Sequence, residues 1–206
     1  PEGFEAQVKI AGLDWVAGKA GDAERLIQEV LKENPRSSEA LFLRGKIALQ
    51  RGNGKDATQD FRSVLKNQPE LADAHVLLAR AYLTTGEVGL ARESLDRALG
   101  LKPALVEAQV MLAGLDASVG HIKEARNRLD PLIARDPGNL ALLGMMFQLQ
   151  TQEKDWGQSQ HTLTKLRTAG ADQAAALAHD TRDLAPRSGL VPFDDTDVAA
   201  VRVVER

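Results

Sequence analysis

The stretch Arg51-Gly52-Asn53-Gly54-Lys55-Asp56-Ala57-Thr58 comes nearest to a phosphate-binding loop, in which glycine amides and a lysine would cradle an anion. That chemistry needs Ser or Thr after the lysine to hold magnesium, and a glycine five places before Gly54; here Asp56 and Leu49 stand there instead. The four histidines, His75, His121, His161 and His179, are scattered, with no second histidine at i+4 and no HExxH. Two imidazoles are thus not presented to one metal, and solvated or packed histidines are expected. The chain has no cysteine, which removes thiolate metal sites, disulfides and cysteine nucleophiles. No Gly-x-Ser-x-Gly occurs, and no carboxylate pair stands apart from ordinary charged helix faces. The expectation is a chain that is not an enzyme, with no catalytic residue, no metal and no cofactor.

What the residues do specify is a repeating scaffold. Pro35, Pro69, Pro103 and Pro137 lie 34 residues apart, and a fixed period of that size signals stacked supersecondary units. Between Asp73 and Pro103, Ala74, Leu78, Ala81 and Tyr82 fall on one helical stripe, and Ala91, Leu95 and Ala98 on another. Gly86 separates the two helices, and Pro103 ends the second because proline cannot continue a helix. Apolar residues make up 43% of the 206 and aromatics only 4%, so the interior is built from Ala, Leu and Val. The formal charge of −3 carries no basic footprint, which argues against a nucleic-acid partner. No run of 18 apolar residues exists, so no direct membrane insertion is expected. The opening Pro1-Glu2-Gly3-Phe4, without an initiator methionine, suggests a piece of a longer or processed protein.

Five units follow from the period: residues 4–37, 38–71, 72–105, 106–139 and 140–173. In the first four, a small residue stands at place 8 (Ala11, Gly45, Ala79, Ala113), a glycine at place 15 (Gly18, Gly52, Gly86, Gly120) and an alanine at place 20 (Ala23, Ala57, Ala91, Ala125). An apolar plug stands at place 24 (Ile27, Phe61, Leu95, Leu129). This combination resembles the tetratricopeptide repeat, which implies an all-α, right-handed α-solenoid of about five helix pairs. Asp14 and Asp116, in two matching AGLD segments, occupy place 11, where the family usually has tyrosine. A buried carboxylate needs a partner, so a structural role beside a basic or backbone group is expected of each. The fifth unit has Lys154 for the turn glycine, Ser159 for the alanine and no closing proline, the erosion expected of a terminal unit. An alanine-rich capping helix over 174–186 and a non-repeat tail over 187–206 are expected to follow.

The resemblance implies non-catalytic protein or peptide binding, as an adaptor or assembly scaffold, on a concave surface lined by the first helices. Carried over by place, that groove comprises Val8, Phe42, Val76 and Val110 at place 5, Lys46 and Arg80 at place 9, and Trp15, Leu49 and Leu83 at place 12. Glu5, Glu39, Asp73 and Glu107 at place 2 form an acidic rim. An apolar floor with two cations suits an extended or helical peptide bearing apolar and acidic groups. Grooves of this family that clamp a terminal carboxylate carry asparagines and lysines at places 5, 6 and 9. Here those places read Val8-Lys9-Gly12, Phe42-Leu43-Lys46 and Val76-Leu77-Arg80, which argues against that subtype. In the tail, Phe193 beside Asp194, Asp195 and Asp197 has the sought character, so the tail is expected to dock in the groove, in cis or in trans, or to be a fused partner peptide. The alternative function is a spacer or self-association segment. Repeats such as LARAYLTTGEVGLARESLDRAL are similar to those of bacterial envelope proteins serving export systems and to those of cytoplasmic repeat proteins, leaving the compartment open.

Overall fold

The computed structural model describes residues 2–180, with side chains described over 3–171. The described residues form ten α-helices and no strand: α1 (Glu2–Val16), α2 (Ala20–Glu33), α3 (Ser38–Gln50), α4 (Gly54–Asn67), α5 (Ala72–Thr84), α6 (Val88–Leu101), α7 (Val106–Ser118), α8 (Ile122–Arg135), α9 (Leu140–Gln152) and α10 (Trp156–Asp180). They pair as α1/α2, α3/α4, α5/α6, α7/α8 and α9/α10, and each second helix also packs on the first helix of the next pair. The molecule is an all-α solenoid, assembled by contacts between neighbours.

Local chemistry sets the boundaries. α2, α4, α6 and α8 each end two residues before a proline. The residue before each proline, Asn34, Gln68, Lys102 or Asp136, lies at φ between −131° and −135°, because the proline ring excludes the helical conformation there. Within each pair the turn is a left-handed C-cap. Gly18, Gly52, Gly86 and Gly120 have φ from 73° to 83°, and Lys154 adopts 59° at the same place in the last pair. The next amide reaches back to the carbonyl at place 11: Lys19 to Asp14 and Glu87 to Tyr82 at 2.8 Å, Asp155 to Gln150 at 2.9 Å, the long bond of the Schellman motif. The fifth pair therefore keeps the turn geometry after losing the glycine. At the starts, Ser37, Asn53 and Asn139 side chains accept from the amides of Ala40, Asp56 and Leu142, satisfying orphan donors.

The interior follows the repeat. Ala11, Ala23, Ala57, Ala79, Ala91, Ala113 and Ala125 are fully buried, as are Phe61, Leu95 and Leu129. Small residues are required where paired helices cross: a Cβ added at Gly45 would lie 2.9 Å from the Phe61 ring. Gly54 marks the tightest junction between pairs, since a Cβ there would meet the Ala81 carbonyl, Thr84 and Thr85, each at 2.9 Å. At the far end, α10 runs unbroken from Trp156 to Asp180. Residues 174–180, expected to open a separate capping helix, instead continue the second helix of the last pair; 181–186 lie outside the described residues.

Polar side chains clasp the helices, some within a pair and some between consecutive pairs. Arg44 of α3 donates two hydrogen bonds to Asp60 of α4, Nε to Oδ2 at 2.9 Å and Nη2 to Oδ1 at 2.6 Å. Between this pair and the next, the Tyr82 hydroxyl of α5 accepts from Arg62 Nε of α4 at 2.8 Å. Asp116, 3% exposed, takes Arg128 Nε at 2.8 Å and Arg92 Nη1 at 2.7 Å. Gln150 Oε1 accepts from the Thr162 hydroxyl at 2.8 Å. Asp14, better exposed, lies 3.7 Å from Lys19. Both aspartates have a basic partner, and place 11 makes a polar contact in four of the five pairs (Asp14, Tyr82, Asp116, Gln150); the second pair has Ala48 there and joins its helices through Arg44 and Asp60 instead.

Candidate functional site

First helices touch one another, α1 with α3 and α3 with α5, whereas second helices make no comparable contacts. The first helices therefore line the inner face of the curve. Between them lies a cleft of about 780 Å³ whose walls come from α3, α5, α7 and the start of α9. Leu49, Leu83, Val110 and Met111 form its apolar floor, and Lys46 and Arg80 stand at its edge. A smaller hollow of about 330 Å³ continues it toward the N-terminus, lined by Val8, Phe42 and, again, Lys46. Lys46 thus joins the two. Phe42 also anchors the floor to the core, its ring meeting Phe61 edge-on at 5.8 Å between centroids.

Seven of the nine residues expected to line the groove are brought together in this way: Val8, Phe42, Lys46, Leu49, Arg80, Leu83 and Val110. Two are not. Val76 is 2% exposed and belongs to the core, where side chains of the neighbouring helices cover it. Trp15 is half-buried at the junction of the first two pairs. Its indole N–H is given to Gln50, and Arg51 stacks over its ring at 5.3 Å.

The electrostatics are also narrower than the residue types suggest. The rim acids are engaged: Glu5 with Lys9 at 2.8 Å, Asp73 with Lys102 at 3.3 Å, and Glu39 by accepting from the Ser37 hydroxyl at 3.3 Å. Glu107 holds Arg80 at 3.4 Å, with both side chains about half exposed. Lys46 makes no ion pair among the described residues. One free cation over an apolar floor, with a second that an acid can compete for, is what the groove presents. Sequence reasoning missed Leu77, Met111 and Thr84, which complete the walls; the apolar spacing of α5 and α7 carried the signal for the first two.

No group of three or more His, Asp or Glu among the described residues could hold a metal ion, and none of their helices is long and apolar enough to cross a membrane.

The sequence profile of the tetratricopeptide repeat matches residues 9–69 and 50–105. No curated protein matches the chain. Among solved structures, a MamA protein is 20% identical, superposes with a TM-score of 0.71 and spans 92% of this chain and 98% of that one. PilF from Pseudomonas aeruginosa is 14% identical at a TM-score of 0.71, over 82% of this chain and 77% of its own. YrrB, described as a tetratricopeptide protein with an unusual peptide-binding site, is 19% identical at 0.67, over 85% and 90%. These likenesses establish the fold. The profile identifies residues 9–105 as tetratricopeptide repeats, and the buried small residues at the helix crossings and the solenoid continuing through α9 and α10 carry the same fold onward.

Proposed function

We propose that the chain is a non-catalytic protein-binding scaffold whose inner groove takes an extended or helical peptide carrying apolar and acidic side chains. One observation carries the reading: Lys46, without a carboxylate partner among the described residues, stands between two connected hollows floored by Val8, Phe42, Leu49, Leu83 and Val110. A desolvated apolar floor gives a peptide its affinity, and a cation at the rim selects for acid and fixes register. The peptide-binding site named for YrrB and the pilus biogenesis role named for PilW, another structural neighbour at a TM-score of 0.73, accord with such a use of the fold.

The segment Gly189–Arg206 supplies a probe, since it joins Phe193 to Asp194, Asp195 and Asp197; these residues lie outside the described part of the structure. Its labelled peptide, titrated into a chain ending at Pro186 and followed by fluorescence anisotropy, is expected to bind saturably and more weakly as salt rises. Lys46→Glu is expected to weaken that binding by roughly tenfold, about 1.4 kcal/mol, while leaving the thermal midpoint unchanged. Binding indifferent to Lys46→Glu would remove the groove from the interaction. No binding at all would remove this peptide class as its ligand.

A further inference from the structure

In α5, α7 and α9 the side chain at place 11 is closed over: Tyr82, Asp116 and Gln150 are each at most 4% exposed. Tyr82 displays the packing most fully. Its ring joins the cluster of Leu78 and Leu95, the Arg62 guanidinium lies over the ring at 5.5 Å, and its hydroxyl accepts from Arg62 Nε at 2.8 Å. Arg62 stands at place 25 of the preceding pair, on α4. The seam between the second and third pairs is thus filled by a phenol whose oxygen meets a side-chain donor from the helix before it.

One repeat earlier the same seam is open. Place 11 of α3 is Ala48, only half-buried, and place 25 of the first pair is Gln28 of α2, exposed. Both line a hollow of about 480 Å³ between α2, α3 and α4, floored by Ile27, Leu31 and Ile47. The hollow shares no residue with the inner groove: α3 turns Arg44, Ala48 and Arg51 toward it, and Phe42, Lys46 and Leu49 toward the groove. Its cations are already paired, Arg44 with Asp60 through two hydrogen bonds and Arg51 with Glu24. Compared with the seam that follows, it keeps an N–H donor at place 25 and a guanidinium at its edge, and lacks the ring.

We propose that this hollow takes a tyrosine side chain of a partner protein, with the ring on Ala48 and its hydroxyl accepting from the Gln28 amide. Asp60 fixes the Arg44 guanidinium by its two hydrogen bonds, so that cation is already oriented for the face or edge of an incoming ring. Because the arginines already hold carboxylates, the site suits a neutral ring with one polar end rather than an anion. The tyrosine comes from a different protein: Tyr82 is the sole tyrosine of the sequence and is 4% exposed, so neither another segment of this chain nor a second copy supplies one. The inference is independent of the groove reading, since the two surfaces lie on opposite sides of α3.

Amide NMR spectra of the nitrogen-15-labelled full chain, titrated with the peptide GGYGG and separately with GGFGG, test it. The Gln28 and Ala48 amides are expected to shift saturably at peptide concentrations on the order of millimolar, and the tyrosine peptide to bind roughly fivefold tighter than the phenylalanine peptide, the worth of one hydrogen bond. Gln28→Ala is expected to erase that preference with the thermal midpoint unchanged, the side chain being exposed. Ala48→Tyr, which lays a phenol in the hollow from within, is expected to abolish binding; if that variant folds poorly, the Gln28→Ala comparison still decides. The proposal is overturned by the absence of saturable shifts, by equal binding of the two peptides, by a preference that survives Gln28→Ala, or by binding that survives a folded Ala48→Tyr. Shifts produced by free p-cresol but not by the tyrosine peptide also overturn it, since the hollow then admits a small phenol and not a partner's residue.

Discussion

At Asp116, a carboxylate 3% exposed lies between Arg92 and Arg128, whose side chains are each 33% exposed. Burial pushes its pKa up, but the hydrogen bonds and charges of Arg128 and Arg92 outweigh burial and hold it below the ordinary aspartate value. The linkage sign follows from that depression. The contribution to stability is present above the unfolded pKa and is lost as pH falls through the folded one, so it fades below about pH 4. Asp116→Asn leaves two arginines facing an amide and is expected to cost about 2–4 kcal/mol, less than a wholly buried pair because both arginines keep some water. Urea denaturation at neutral pH measures this, and the difference between wild type and variant should shrink at acid pH. A pH-independent difference would place the role of Asp116 in packing. Lys154 is strained for another reason, its φ of 59° being the left-handed conformation that the other four turns reserve for glycine. Lys154→Gly is expected to stabilise by about 0.5–1 kcal/mol, the strain relieved exceeding the entropy that glycine adds to the unfolded chain. A lower denaturation midpoint in that variant would show that the lysine side chain makes a compensating contact.

Between helices, the closest spacing is set by residues that are nearly nothing. Ala91 is fully buried where α6 crosses α5, and its neighbours Leu95, Leu78 and Tyr82 already fill the space. Ala91→Leu is therefore expected to force the pair apart and cost about 1–3 kcal/mol. Thermal unfolding reads the effect, and an unchanged midpoint would contradict the packing described for this pair. The elements themselves were legible from the chain. The prolines announced four helix ends through a local steric rule, and the glycines announced four turns. α10 was not legible in the same way. Nothing in Ala169-Gly170-Ala171-Asp172-Gln173 distinguishes a helix that continues from one that restarts, and glycine at 170 is tolerated inside α10 at a cost of about 1 kcal/mol.

Over the whole molecule, stability is a sum of pairs and junctions, so protection against hydrogen exchange should be highest in the middle and fall toward the ends. The Gly54 junction binds the second and third pairs most closely, and the last pair has Ser159 where earlier pairs bury alanine. Exchange is expected to be slowest in α4, α5 and α6 and fastest toward the end of α10. Uniform protection along the array would show instead that it unfolds as one cooperative block. The inner groove also belongs to this scale, for its 780 Å³ exist only where four successive first helices converge.

The sequence by itself determined the period, the helix pairs, their small-residue crossings and most of the groove floor. Each of these is a local or periodic constraint: a ring that excludes a conformation, a turn that wants a positive φ, a crossing that admits only a methyl group. Only the tertiary structure decided which groove residues face outward and which cations are free. Val76 and Val110 share a place in the repeat, yet Val76 is buried in the core while Val110 lines the cleft. Arg80 and Lys46 share another, yet Arg80 meets Glu107 of the next pair and Lys46 meets no acid among the described residues. Burial and charge pairing at a given place depend on the side chains that neighbouring helices happen to present, as Arg80 shows with its partner 27 residues away in the chain.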